Sequence, residues 1–174
     1  MPLIYLTGNS GAGKSTIRKE LSRRGYEAHD TDENDVSSWQ NKLTGKTVER
    51  PEFEADRTKE WYDKHDWNMS REKVENLQDV AKDKIVFLCG STSNADEMID
   101  LFDKVYYLSI DQDTLKKRLL TRTDNDFGKA PDELANITGW HDSLEARYRG
   151  HGAEMLDASK SVKEVVDLIL ESLD

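Results

Sequence analysis

The residues Gly8-Asn9-Ser10-Gly11-Ala12-Gly13-Lys14-Ser15-Thr16 constrain this chain more than any other stretch. The spacing Gly8-x-x-x-x-Gly13-Lys14-Ser15 fits a phosphate-binding P-loop. Glycines let the backbone take conformations that other residues resist, so N–H groups can close around an anion. A helix N-terminus behind the loop favours the same charge. Lys14 is expected to reach the β- and γ-phosphates, and the Ser15 hydroxyl to bind Mg²⁺. The context that such a loop needs is present too. Leu3-Ile4-Tyr5-Leu6 reads as a buried strand, and Ile17 and Leu21 lie four apart, as on one helix face.

The rest of the pattern is strand alternating with helix. Apolar strand candidates are 3–7, 26–29, 84–89, 104–110 and 153–157. Helical patterns cover 14–24, 52–64, 70–82, 94–102, 112–122, 132–149 and 161–173. Alternation of this kind implies a parallel sheet covered on both faces. The 174 residues suit one domain, 1–174, and 36% hydrophobic residues suffice for its core. The segment 33–82 stands out as a long helical insert holding Trp39, Trp61 and Trp67. It is a natural place for a second substrate, although tryptophans are also ordinary core residues.

A net charge of −10 argues against a dedicated nucleic-acid binder. The single cysteine, Cys89, allows no intrachain disulfide and points to the cytoplasm; it reads as a small buried residue. The loop begins too early to leave room for a signal peptide, and no apolar run approaches the length of a membrane span. His29, His65, His141 and His151 have no metal-ligand spacing.

P-loops serve motors, switches, transporters and kinases. The run Val105–Ile110 ends in Asp111, but Gln112 follows where a motor would carry a glutamate, so Asp111 reads as a helix N-cap. No Asn-Lys-x-Asp stretch for guanine is present. The better acids are Asp30 and Asp32 in "AHDTDE". Residues two apart on a strand point the same way. One carboxylate could hold Mg²⁺ through water while the other accepts a proton from a hydroxyl. A polar turn capping the next helix is the alternative. Further on, Arg118 and Arg122 flank the Leu115/Leu119 stripe at helical spacing, whereas Lys116 and Lys117 lie elsewhere. They suit the charge on a transferring phosphoryl group, although an ordinary basic helix face has the same look. Residues 123–131 read as a short lid hinged at Gly128, with Lys129 available to phosphate.

Taken together, "GNSGAGKST", "DTD" at 30–32, "RLLTR" and "MLDAS" at 155–159 resemble the small P-loop kinases of the shikimate, gluconate and nucleoside/nucleotide kinase group. The "FLCG", "NDFGK" and "W…R" stretches are similar to bacterial ATP-binding, shikimate-kinase-like chains. The resemblance implies a three-layer αβα sandwich around a five-stranded parallel sheet of order 2-3-1-4-5. It implies ATP with Mg²⁺ as donor, a cradle formed by Gly8 to Gly13, and Thr16 supporting the α-phosphate. It also implies Asp30 and Ser15 near the metal, Asp32 on the acceptor hydroxyl, Arg118 and Arg122 over the phosphates, and the stretch ending at Ser159 beside adenine. The sequence departs from shikimate kinases after "DTDE", where "NDVSSWQ" lacks their arginine. Arg147 and Arg149 are near the place of another but differently spaced, and "LCGSTSN" replaces a run of glycines. The chemistry expected is therefore phosphoryl transfer to a hydroxyl or phosphate of a small acceptor, by a monomer or homodimer. A nucleotide-binding regulator or weak ATPase is one rival; a polynucleotide end kinase, disfavoured by the charge, is another.

Overall fold

A computed structural model describes residues 1–123 and 125–173; Asp124, inside the expected lid, and the terminal Asp174 lie outside the described residues. Strand β1 (Leu3–Gly8) is buried along its whole length. It occupies the middle of a five-stranded sheet with β2 (Glu27–Asp30), β6 (Val86–Cys89), β7 (Lys104–Ser109) and β8 (Glu154–Asp157). The order is β2-β6-β1-β7-β8 and every pairing is parallel. Counting only this sheet's strands along the chain, that is the expected 2-3-1-4-5. A continuous apolar run is what a parallel strand needs when both faces are covered.

Alternation along β1 divides its side chains between two cores. Ile4 and Leu6 pack with Ile17 and Leu21 of α1 (Lys14–Arg23) and with Val165, Val166 and Ile169 of α6 (Val162–Glu171). Leu3 and Tyr5 face the other way, toward Val74 of α3 (Arg71–Ala81) and Tyr148 of α5 (Pro131–Gly150). The segment Ala95–Leu101, expected as an α-helix within 94–102, is wound as a 3₁₀ helix on that second face. Asn94 does not cap it through its side chain, because both amide atoms are engaged by the Met69 backbone. Helix α4 (Gln112–Thr121) begins as expected: Asp111 Oδ1 accepts the Thr114 N–H at 2.8 Å.

The expected helical insert needs correction. Residues 33–82 contain a three-stranded antiparallel sheet of β3 (Ser37–Asn41), β4 (Thr47–Val48) and β5 (His65–Met69), with β3 in the middle. Trp39 lies opposite Trp67 across β3 and β5 and opposite Val48 across β4. Such aromatic and β-branched cross-strand pairs stabilise a small sheet more than helical periodicity stabilises a helix here. The turn into β4 is fixed by Asn41, whose Oδ1 accepts the N–H groups of Leu43 and Thr44. Of the helical pattern 52–64, only α2 (Lys59–Lys64) is an α-helix, capped by Thr58, with a 3₁₀ turn at Glu54–Asp56 before it. The expectation for 70–82 corresponds to α3.

Candidate active site

A cleft of about 1300 Å³ opens at the carboxyl ends of the sheet strands. Its floor is the loop between β1 and α1. Gly11 and Gly13 take φ values of 87° and 105°, which other residues adopt only under strain. Among the described residues, a Cβ on Gly13 would meet only the Arg118 guanidinium, at an ordinary 3.9 Å, so it is the positive φ and not space that calls for glycine there. Lys14 Nζ donates to the carbonyl oxygens of Gly8 at 2.8 Å and Asn9 at 3.0 Å. Asn9 itself is buried, donating to the Ile137 carbonyl of α5 and accepting from Ser10 N, so its side chain anchors the loop. Ser15 and Thr16 are exposed in the cleft at the helix start.

Asp30 and Asp32 meet Lys14 from the edge of the sheet. β2 ends at Asp30, so the two carboxylates are set side by side by a turn, not by strand alternation. Asp30 Oδ1 accepts the Asp32 N–H at 3.1 Å, and Arg18 Nε lies 3.4 Å from Asp30 Oδ2. The turn caps no helix; β3 follows it. Thr31 between them is fully buried against Gly90, where a Cβ would stand 1.8 Å from the Thr31 hydroxyl. Asp32 Oδ1 accepts from Trp67 Nε1 at 3.1 Å and from Thr31 Oγ1 at 3.2 Å.

The residue Asp32 is exposed to the cleft, yet protein surrounds its carboxyl, and this desolvation raises its pKa. The neighbouring Asp30 raises it further, whereas Lys14 opposes the shift. Lys14 is pushed down to about 8, chiefly by burial, with Asp32 and Asp30 working the other way. Burial pushes the Cys89 thiol far up, so it stays protonated and is no nucleophile.

Arg118 spans the end of the cleft between the loop and Ala158. Its guanidinium donates to the carbonyls of Ala12, at 3.4 Å, and Ala158, at 3.1 Å. Arg122 lies beside Ser10 Oγ at 3.4 Å and donates to the Phe127 carbonyl in the lid. Both arginines line the cleft. Ser159 does not: its hydroxyl and N–H are turned onto Asp157, and Ala158 and Lys160 form the wall there. Lys129 and Arg149 are also outside the wall, whereas Arg147 is part of it. The donor set suits a phosphate chain and an oxygen-loving cation: loop N–H groups, Lys14 and two arginines, with the Ser15 hydroxyl and the Asp30 and Asp32 carboxylates alongside.

The aromatic residues of the insert form the opposite wall. Neither core cluster contains a tryptophan. Trp39, Trp67, Tyr62 and Trp140 of α5 border the cleft instead. Trp39 touches Trp61, Tyr62 and Trp67, with ring centroids 4.9–5.6 Å apart.

Sequence reasoning passed over Arg50, Tyr62 and Glu133, which join the insert to Phe127 and Gly128 of the expected lid. Glu133 is buried, 1% exposed. Its Oε1 accepts from Tyr62 Oη at 2.5 Å and Arg50 Nη2 at 2.9 Å, and its Oε2 from Gly128 N at 2.7 Å. Tyr62 is pushed up to about 12, chiefly by burial and then by this carboxylate. Arg50 also lies over the Phe127 ring, 5.3 Å from its centroid. No motif marks these residues, because each is ordinary in its own stretch. Glu133→Ala would leave a guanidinium, a phenol and a backbone N–H without their acceptor. We expect it to cost about 3–5 kcal/mol, as for a buried pair that loses one partner. Urea unfolding checks this; a loss under about 1 kcal/mol would show that the clasp contributes nothing to stability.

The family model described as an AAA domain matches residues 4–139. Comparison with curated protein sequences finds no match. The chain is similar in fold to solved small P-loop kinases. The shikimate kinase from Acinetobacter baumannii, in complex with shikimate, is 19% identical with a TM-score of 0.63, over 99% of this chain and 93% of that one. The shikimate kinase from Bacteroides thetaiotaomicron is 23% identical with a TM-score of 0.59, over 99% and 98%. The deoxyadenosine kinase from M. mycoides with bound dATP is 19% identical with a TM-score of 0.55, over 99% of both chains. Among the described residues, no helix is long and apolar enough to cross a membrane.

Proposed function

We propose that this chain, which belongs to the AAA domain family, is an ATP- and Mg²⁺-dependent small-molecule kinase. It moves the γ-phosphoryl group of ATP to a hydroxyl or phosphate of a small acceptor. One observation supports the reading: Lys14 of the loop, the Asp32 carboxylate and the aromatic wall of Trp39 and Trp67, which come from three separate stretches of the chain, all line one cleft. The backbone N–H groups from Gly8 to Gly13 cradle the phosphates, and Thr16 supports the α-phosphate. Lys14 exchanges its contacts to the Gly8 and Asn9 carbonyls for the β- and γ-phosphate oxygens. Arg118 sits between the loop and Ala158, where it spans the phosphates and the base-side wall. Arg122, tied to the lid, adds donors to charge that spreads over the transferring group. Asp32 orients the acceptor hydroxyl and takes its proton. Ser15 and Asp30 would hold Mg²⁺, which would supply charge neutralisation for the phosphate chain.

The test is ADP release from ATP with and without a panel of hydroxyl compounds. The reading expects at least one compound to raise the rate well above the ATPase background. Tight ATP binding with a rate indifferent to every compound would favour a regulator or weak ATPase.

The depressed Lys14 pKa gives a pH dependence. In the free protein the lysine loses its proton as pH rises through about 8, and the neutral amine no longer attracts phosphate. We expect kcat/KM for ATP, which reports the free enzyme, to fall across that range. A profile that stays flat to about pH 10, where an unperturbed lysine titrates, would contradict the assignment.

A further inference from the structure

We propose that the acceptor is a hydroxyl compound without an anionic group, seated by a flat face on Trp39 and Trp67 with its polar edge on the hydroxyls of Thr7, Thr92 and Tyr107. This rests on the kinase reading and narrows it, excluding carboxylate and phosphate acceptors.

The first ground is that the lysine and arginines on this wall are already matched to acids. Lys42 pairs with Asp66 at 3.4 Å, Arg50 with the buried Glu133 at 2.9 Å, and Arg147 with Asp96 at 3.1 Å. Lys42, Arg50 and Arg147 all border the cleft, as do Asp63 and Asp66. An anionic ligand that took Arg50 would leave the buried Glu133 carboxylate without its counter-charge, which is costly; the Lys42 and Arg147 pairs are about a third or more exposed, and there the partner carboxylates lower the net positive charge that an anion would meet. Asp32 beside the reacting hydroxyl adds a further negative charge. Arg118 and Arg122 are placed on the phosphate side, where their contacts include the Ala12 and Ala158 carbonyls and Ser10; Arg122 also donates to the Phe127 carbonyl.

The second ground is what the wall offers instead. Trp39 and Trp67 are half-buried and paired across strands, so their faces are held in place before any ligand arrives. Trp67 Nε1 also bonds Asp32, which puts the flat surface next to the proposed base. The Trp67 carbonyl accepts the Ser93 N–H at 2.7 Å, so Thr92 adjoins the same surface. Thr7, Thr92 and Tyr107 are 1%, 7% and 1% exposed, and among the described residues their hydroxyls have no hydrogen-bond partner. Thr7 stands near the Tyr5 and Tyr148 phenols, Thr92 near Tyr5, and Tyr107 near the Asn9 backbone and Tyr148, but none of these contacts has hydrogen-bond geometry. Buried hydroxyls without partners are expensive, and a ligand hydroxyl, carbonyl or amide would satisfy them. These groups are neutral and can donate or accept, so they suit an uncharged polar edge.

The experiment titrates the full chain, with ADP and Mg²⁺ present, against two matched pairs: thymidine with thymidine 5′-monophosphate, and methyl shikimate with shikimate. Isothermal titration calorimetry reads the affinity. We expect the uncharged member of at least one pair to bind at least about tenfold tighter than its anion. Trp39→Ala should weaken that binding about tenfold or more, while Trp39→Phe, which keeps a flat face, should retain most of it. An anion that binds as tightly as its neutral partner, or no neutral compound that binds, overturns the proposal. So does binding that survives Trp39→Ala unchanged. Phosphoryl transfer is measured separately with ATP. A neutral compound that binds with this selectivity but is never phosphorylated supports the charge selectivity and defeats the kinase reading.

Discussion

Replacing Lys14 with alanine should abolish phosphoryl transfer and leave the fold intact. The side chain is not part of either core; it lies on the cleft floor with its ammonium on the Gly8 and Asn9 carbonyls. Those carbonyls keep other donors when the lysine is gone, the Ser91 hydroxyl on Gly8 and the Ala12 N–H on Asn9. The protein also tolerates the charge at a cost, since burial depresses its pKa to about 8 even with Asp30 and Asp32 nearby. A group held against its own solvation preference, at the mouth of an N–H-lined loop, awaits anions that restore the lost attraction. Removing one preorganised donor to developing charge typically costs about 10²–10³ in rate. We expect a loss at least that large in kcat/KM, with Tm within about 4 °C of the parent, the equivalent of roughly 1 kcal/mol for a domain of this size. Near-native turnover would remove the basis of the proposed function. A large drop in Tm would instead mark Lys14 as a structural residue.

The loop was legible because its chemistry demands contiguous residues. Glycines, lysine and hydroxyls must follow one another at fixed spacing, and a buried strand and a helix must flank them. The central sheet was legible for a related reason: strands buried on both faces, such as Leu3–Gly8 and Val86–Cys89, leave unbroken apolar runs. The insert was misread as helical because Ser37–Asn41 and His65–Met69 are short and polar at the ends, and gain their pairing from each other across 24 or more residues. Local periodicity carries no trace of such a partner. The same distance hides the Glu133 clasp, whose members come from 50, 62, 128 and 133. Ser159 lies off the cleft wall for a local reason: the Asp157 carboxylate two residues earlier captures its hydroxyl, a competition typical of Ser beside Asp.

The two aspartates should separate in function although they share one turn. Asp32→Asn is expected to keep ATP binding and lower transfer by about 10²–10⁴, the usual worth of a general base. Asp30→Asn should instead raise the Mg²⁺ concentration needed for half-maximal rate. Their surroundings already differ. Asp30 faces Arg18 and holds the Asp32 N–H, whereas Asp32 opens into the cleft with Trp67 and Thr31 on one oxygen and the other free for an acceptor proton. Desolvation and then Asp30 raise the Asp32 pKa, which makes its carboxylate a stronger base, while the Trp67 N–H lowers it. Trp67→Phe deletes that N–H and keeps a ring, so the pKa should climb further. Because transfer needs the ionised carboxylate, the acidic limb of the pH–rate profile should move to higher pH in this variant, and rate at neutral pH should change much less than in Asp32→Asn. A structural role for Trp67 would lower the whole profile without moving its limb. Equal and small effects of Asp30→Asn and Asp32→Asn, with no metal dependence to tell them apart, would reduce the pair to a polar turn.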